Sequence, residues 1–297
     1  MSTSTEVPSL KSTYYAGASL QLYSHAPPER PANERCSYQK DALRMIRIED
    51  RLNTFIARRV PIPSIPANVS IILDKRLLSS TRRIPHVWTA HVQDSSPNTR
   101  YPPTIVAKIY DPVYFDSGEA EFFDPFALRD LTVSRETEAY RRLRHLQGTK
   151  IPRFYGHFVA PLPTQGERTV NVLLLEYIHG RDLRDLVPQE KAEMLCSLHK
   201  NALIDAVLRL HFGICALGVV QNDMQPRNMI LRCARCRDAP FCSTEGCPLL
   251  SEADCEDMQM VMVDFEVVNF GEPDSEISNH IPVETLVEKA KPKYLER

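Results

Sequence analysis

What this sequence lacks narrows it first. No apolar run approaches the ~20 residues needed to cross a bilayer, and the start, MSTSTEVPSLKSTYY, has neither the basic opening nor the apolar core of a secretory signal. A formal net charge of -2 sets up no field that would draw in nucleic acid or an anionic membrane. The basic clusters STRR at 80 to 83 and RRLRH at 141 to 145 read as local loop or helix surface. Neither a nucleic-acid nor a membrane partner is therefore expected, and the reading is an intracellular protein, with the cytoplasm as its compartment. In that reducing setting, eight cysteines point to thiols or metal rather than disulfides. What is present is an ordinary globular composition, 43% hydrophobic and 25% charged, with enough apolar material for a core in one domain or two lobes.

Residues 1 to 42 are rich in Ser, Thr and Pro and read as a disordered or loosely packed tail. An amphipathic helix and a Pro-rich linker, VPIPSIP, occupy 43 to 66, the apolar repeat running through DALRMIRIEDRLNTFIARR. VSIIL at 69 to 73, HVWTAHV at 86 to 92 and TIVAKIY at 104 to 110 have the β-branched and aromatic content of strands. After the acidic segment FDSGEAEFFDPF, a helix is predicted over 134 to 146, stopped by Gly148 and Pro152. RFYGHFVA at 153 to 160 and TVNVLLLEYI at 169 to 178 complete a five-stranded antiparallel sheet with one helix, spanning 67 to 178. From 179 to 297 the chain turns helical, and LCSLHKNALIDAVLRLHFGICALG leads into the polar loop QNDMQPRN at 221 to 228. The plan is α+β and two-lobed.

Five charged or polar positions stand out. Asp223 and Asn228 lie five apart in that loop, where both types also occur simply because they bond their own backbone. Lys108 interrupts the apolar IVAKIY and needs an anion if it points inward, which Glu136 on the following helix can supply. Asp264 ends the apolar run MVMVDFEVV, where a carboxylate is costly to bury without a cation.

Taken in order, IVAKIY, SRETEAY, NDMQPRN and VDFE resemble the protein-kinase-like superfamily over roughly residues 67 to 270. Gln225, where protein serine/threonine kinases carry a lysine, and Glu266, in place of the glycine of DFG, look closer to the aminoglycoside and choline kinase branch and its fungal kinase-like relatives. The resemblance implies an ATP- and Mg-dependent phosphotransferase that moves a γ-phosphate to a hydroxyl of a small molecule or protein. It implies that Lys108, held by Glu136, binds the nucleotide phosphates, and that the backbone of Glu176, Tyr177 and Ile178 meets the adenine. Asn228 and Asp264 would ligate Mg²⁺, and Asp223 would take the hydroxyl proton. The nucleotide is thus the implied ligand and the phosphate acceptor is unnamed.

The chain departs from the family's pattern in three places. DKRLLSSTRRIPH, between the first two strands, has no glycine to let backbone amides approach phosphate, although Ser79, Ser80, Thr81, Arg82 and Arg83 could donate instead. Gln221 stands where the family usually has His, which should remove a packing and hydrogen-bonding role. The chain ends at Arg297, soon after Asp264, so a reduced helical second lobe is expected. These departures keep open a pseudokinase, a binding or scaffold module with a vestigial nucleotide site.

Between Asp223 and Asp264 lies a cysteine-rich insertion, residues 233 to 255. Cys233, Cys236, Cys242 and Cys247 could wrap one structural Zn²⁺. Free thiols, an oxidisable pair, or a loop that shapes the acceptor pocket are the alternatives. Cys196 and Cys215, on the long helix, read as small core residues.

Overall fold

The computed structural model describes residues 13–30, 56, 59–62, 67–77, 85–93, 100–114, 125–187, 193–232, 247, 259–272 and 283–291. Nearly all of the helix expected at 41 to 59, the serine and arginine turn at 79 to 83, and most of the cysteine-rich insertion fall outside them. The chain divides into two compact units: Met1–Thr137 with Phe154–Tyr177, and Glu138–Arg153 with Ile178–Arg297.

The first unit is built on six strands: β1 (Ser19–Ser24), β2 (Val69–Arg76), β3 (His86–Val92), β4 (Ile105–Tyr110), β5 (Phe154–Leu162) and β6 (Arg168–Glu176). They close into an antiparallel barrel in the order β1-β2-β3-β4-β6-β5, with β1 pairing to both β2 and β5. The expected five-stranded sheet is thereby corrected to a closed six-stranded one, and the expected tail supplies the closing strand. In SLQLYS the apolar Leu20 and Leu22 are buried while Ser19 and Gln21 face outward. This period-two signal is short and lies in Ser- and Pro-rich surroundings, which hid it. Closure also leaves no bare strand edge to template aggregation.

Alternation along each strand sorts the side chains between two faces. Leu22, Ile71, Leu73, Trp88, Ile105, Ala107 and Ile109 pack inside the barrel. Tyr110 and Leu173 sit instead with Val133 of α1 (Pro125–Arg142) in a second cluster. α1 begins at Pro125 rather than Ser134 and ends at Arg142, followed by a separate 3-10 turn at Arg144–Leu146. Phe126 and Val133, two turns apart and both buried, carry the helical period through a stretch whose acidic, Phe-rich flank disguised it. Pro is suited to the first helical turn, where its missing N–H removes no bond.

A buried ion pair locks the chain ahead of β1 to the barrel. Arg168 donates two bonds of 2.7 Å to the carboxylate of Asp111 and a third, of 2.6 Å, to Oε1 of Gln165. The Tyr14 hydroxyl donates to Asp111 at 2.8 Å.

The second unit holds α2 (Leu183–Leu186), α3 (Ser197–Cys215) and α4 (Val283–Ala290). Its strands β7 (Gly180–Asp182), β9 (Met229–Arg232) and β10 (Met260–Met262) form one sheet, and β8 (Val219–Gln221) pairs with β11 (Val268–Phe270). The expected reduced helical lobe therefore contains two small sheets as well. β7 lies so close to β9 that a Cβ on Gly180 would meet the Leu231 carbonyl oxygen at 2.2 Å. α3 buries Leu203, Leu210 and Ile214 on one stripe, and Arg209 of α3 pairs with Glu284 of α4. Arg142, at the end of α1, donates to the carbonyls of Gly218 and Gly271, bracketing β8 and β11. Among the described residues no helix is long and apolar enough to cross a membrane.

Candidate active site

In the first unit, β4 sends Lys108 away from the barrel interior and toward α1. Its ammonium donates to both carboxylate oxygens of Glu136, at 2.9 and 2.7 Å, and both residues are buried. Tyr110, two residues on and therefore on the same face of β4, donates its hydroxyl to Glu136 Oε2. Sequence reasoning passed over Tyr110, although i, i+2 spacing from Lys108 was the available signal. Three hydrogen bonds from two groups thus fix one carboxylate, and the lysine is held rigid rather than left to sample solvent.

In the second unit, strand pairing brings two turns side by side. β9 and β10 pair Met229 with Met262, and the Val263 amide then donates to the Asn228 carbonyl at 2.9 Å. β8 and β11 pair Gln221 with Val268, and the Asn222 amide donates to the Val267 carbonyl at 3.0 Å. The loop 222–228 and the turn 263–267 are therefore each pinned at both ends.

Gln221 joins them. Its Nε2 donates to the Asp264 carbonyl at 2.6 Å and its Oε1 accepts from the Asp223 amide at 3.1 Å. The expectation that Gln at this position removes a packing and hydrogen-bonding role is overturned. The side chain is buried, and an amide carries both the donor and the acceptor that the bridge requires.

Asn228 Nδ2 donates to the backbone and to Oδ2 of Asp223, at 3.0 and 2.9 Å. This fixes the amide plane and leaves Asn228 Oδ1, a hard oxygen of the type Mg²⁺ takes, with no protein donor among the described residues. The Arg227 guanidinium donates to the same Asp223 Oδ2 at 2.7 Å. Arg227 is a further residue that the sequence reading missed. It lies four positions after Asp223 and puts a cation on the aspartate although position 225 is Gln.

Asp264 has a left-handed backbone, φ +68. For a residue with a Cβ this costs on the order of 1 kcal/mol, and such strain gathers where structure is committed to function. The Glu266 amide reaches Asp264 Oδ1 at 3.4 Å. Phe265 is fully buried, edge-on to Tyr140 with ring centroids 5.4 Å apart. Of the expected adenine-contacting segment, Glu176 ends β6 opposite Ile105, and Ile178 is buried.

The expected four-cysteine set is not assembled among the described residues. Cys233, Cys236 and Cys242 fall outside them, and Cys247 lies instead beside His199 and Cys196. Cys196, read as a core residue, caps the N-terminus of α3, its sulfur accepting from the His199 amide at 3.4 Å.

No family model matches the chain, and no curated protein matches it. Among solved structures it is similar to "WaaP in complex with acyl carrier protein", at 14% identity over 76% of this chain and 80% of that one, with a TM-score of 0.41. It is also similar to "Crystal structure of BubR1 kinase domain", at 11% identity over 68% of this chain and 48% of that one, with a TM-score of 0.40. Overlaps this low carry no argument about what the chain does.

Proposed function

We propose that the chain is a kinase-like phosphotransferase that uses ATP and Mg²⁺ to phosphorylate a hydroxyl of a small molecule or protein. The observation that carries this reading is the bridge from Gln221 to both Asp223 and Asp264, with Asn228 oriented on the same loop. It places two carboxylates and a directed amide oxygen on two pinned turns, the donor set for a hard cation and a general base.

In this reading Asp223 accepts the proton of the attacking hydroxyl, using the carboxylate oxygen that Arg227 and Asn228 leave open. Arg227 and Asn228 hold the carboxylate at a set angle. Lys108, positioned by Glu136 and Tyr110, presents its ammonium to phosphate oxygens as a point charge. The backbone of Glu176, Tyr177 and Ile178 meets the adenine. Asn228 and Asp264 would hold the metal, which supplies charge neutralisation along the phosphates.

The alternative, a pseudokinase that acts as a binding or scaffold module, is favoured by the absence of glycine between β2 and β3. Thermal unfolding with ATP, with and without Mg²⁺, tests the site. At a hundredfold excess over the dissociation constant, binding adds about 2.7 kcal/mol and raises the midpoint by a few degrees. The shift should require Mg²⁺ and vanish in Asp264→Ala. Asp223→Asn should keep the shift and abolish turnover, and a chain with no shift at saturating ATP refutes the nucleotide site.

A further inference from the structure

We infer that Cys196, His199 and Cys247 bind one zinc ion within the second unit. This site is distinct from the cluster suggested by the cysteine spacing, shares only Cys247 with it, and does not depend on the phosphotransferase reading.

The geometry begins at the start of α3. Cys196 is the N-cap and His199 follows three residues later, so the two side chains rise on the same side of the first turn. Cys247 arrives from the chain between β9 and β10. His199 Nδ1 is 3.3 Å from the sulfur of Cys196 and 3.4 Å from that of Cys247. The three candidate ligand atoms all lie within 4.8 Å of one another.

Hydrogen bonding accounts for half of this arrangement. An imidazole nitrogen carries at most one proton, so Nδ1 can donate to one sulfur at a time and has no use for a second at the same distance. A metal accounts for both contacts. With Zn–S of about 2.3 Å and Zn–N of about 2.0–2.1 Å, a tetrahedral angle separates sulfur and nitrogen by about 3.6 Å, close to what is seen.

The surroundings favour zinc. His199 and Cys247 are 1% and 5% exposed and Cys196 is half-buried, so two of the three donors lie out of water. The Cys196 sulfur sits at the N-terminus of a 19-residue helix and accepts a backbone N–H, which fixes where it points. Two soft sulfurs and one imidazole suit Zn²⁺ over Mg²⁺ or Ca²⁺. The bound ion would tie the chain around Cys247 to the start of α3, closing a long loop between segments that the sequence keeps far apart.

The test is the zinc content of the full chain purified without added metal, read against variants. About one zinc per chain is expected, falling below about a tenth in His199→Ala and Cys247→Ser. The Cys215→Ser and Cys233→Ser/Cys236→Ser variants should hold their zinc. Because His199→Ala can fail to fold, His199→Cys supplies the second arm: it should retain the ion, and after cobalt substitution its sulfur-to-metal absorption should exceed that of the parent. Metal-free protein at saturating zinc overturns the inference, as does zinc lost with Cys233 and Cys236 but kept in His199→Ala.

Discussion

Gln221 shows how much one buried amide can carry. It bonds the Asp264 carbonyl and the Asp223 amide together, so Gln221→Leu removes both hydrogen bonds. The expected loss is roughly 0.5–1.5 kcal/mol for each half-buried bond removed, read as a lower urea midpoint at unchanged slope. A stability equal to the parent's would mean that the bridge contributes nothing. The Asp111–Arg168 pair sets the larger single-residue effect. Both side chains are essentially solvent-free. Asp111→Ala strands a buried guanidinium and should cost about 3–5 kcal/mol, whereas replacing both partners with apolar residues of similar volume should cost much less. Equilibrium unfolding of the single and double variants separates the two outcomes. At this scale Lys108 and Asp264 were visible in the sequence as charges among apolar neighbours, and Glu136, Asp223 and Asn228 through the order of motifs in which they lie. Arg227 and Tyr110 were not, because a polar residue in a polar loop or at a strand end carries no such contrast, and Gln221 stood out only as a replacement whose bridging role the sequence did not show.

Among the elements, β1 matters most for its size. Six residues close the barrel through Leu20 and Leu22, which join the interior around Trp88. Leu22→Ala should therefore destabilise the first unit by about 2–5 kcal/mol, the range for a truncated, fully buried leucine. Trp88 is the chain's one tryptophan and shares that interior, so its fluorescence follows the barrel directly. An unchanged Trp88 transition in Leu22→Ala would show that β1 is not needed for the barrel's stability. The strands from β2 to β6 were legible to within a few residues, since each carries its own run of β-branched and aromatic side chains. β1, β7, β8 and β11 were not, because three to six residues offer too few periods to stand out from a loop. They are strands only because a partner supplies their hydrogen bonds.

At the scale of the whole molecule, the buried imidazoles make stability depend on pH. Burial pushes the pKa of His86 down to about 4, against an opposing pull from Asp111 and with added repulsion from Arg76 and Arg168. Burial also lowers that of His157. A histidine that stays neutral when folded is protonated first in the unfolded chain, so the unfolded state gains protons as pH falls below 6.5. Stability should be flat above that value and fall between pH 6.5 and 4, by roughly 3 kcal/mol at most from His86 alone. Asp111 continues the trend in stronger acid: burial would raise its carboxyl, but Arg168 and the hydrogen bonds from Tyr14 and the Val113 amide together outweigh burial and hold it low. Chemical denaturation across this range should show the slope, reduced in His86→Phe; an identical slope in that variant would exclude His86 as its source.

By itself the sequence determined the run of strands from Val69 to Glu176, the long helix at Ser197–Cys215, and the loop that carries Asp223 and Asn228. These follow from periodicity and turn chemistry inside short windows, where each residue's neighbours along the chain are enough to bias the backbone. The tertiary structure alone decided that Ser19–Ser24 closes the barrel, that Arg168 finds Asp111, that Gln221 spans two turns, and that Cys247 meets His199. Each joins segments far apart in the chain, and such contacts depend on loop closure and packing, which no local pattern encodes.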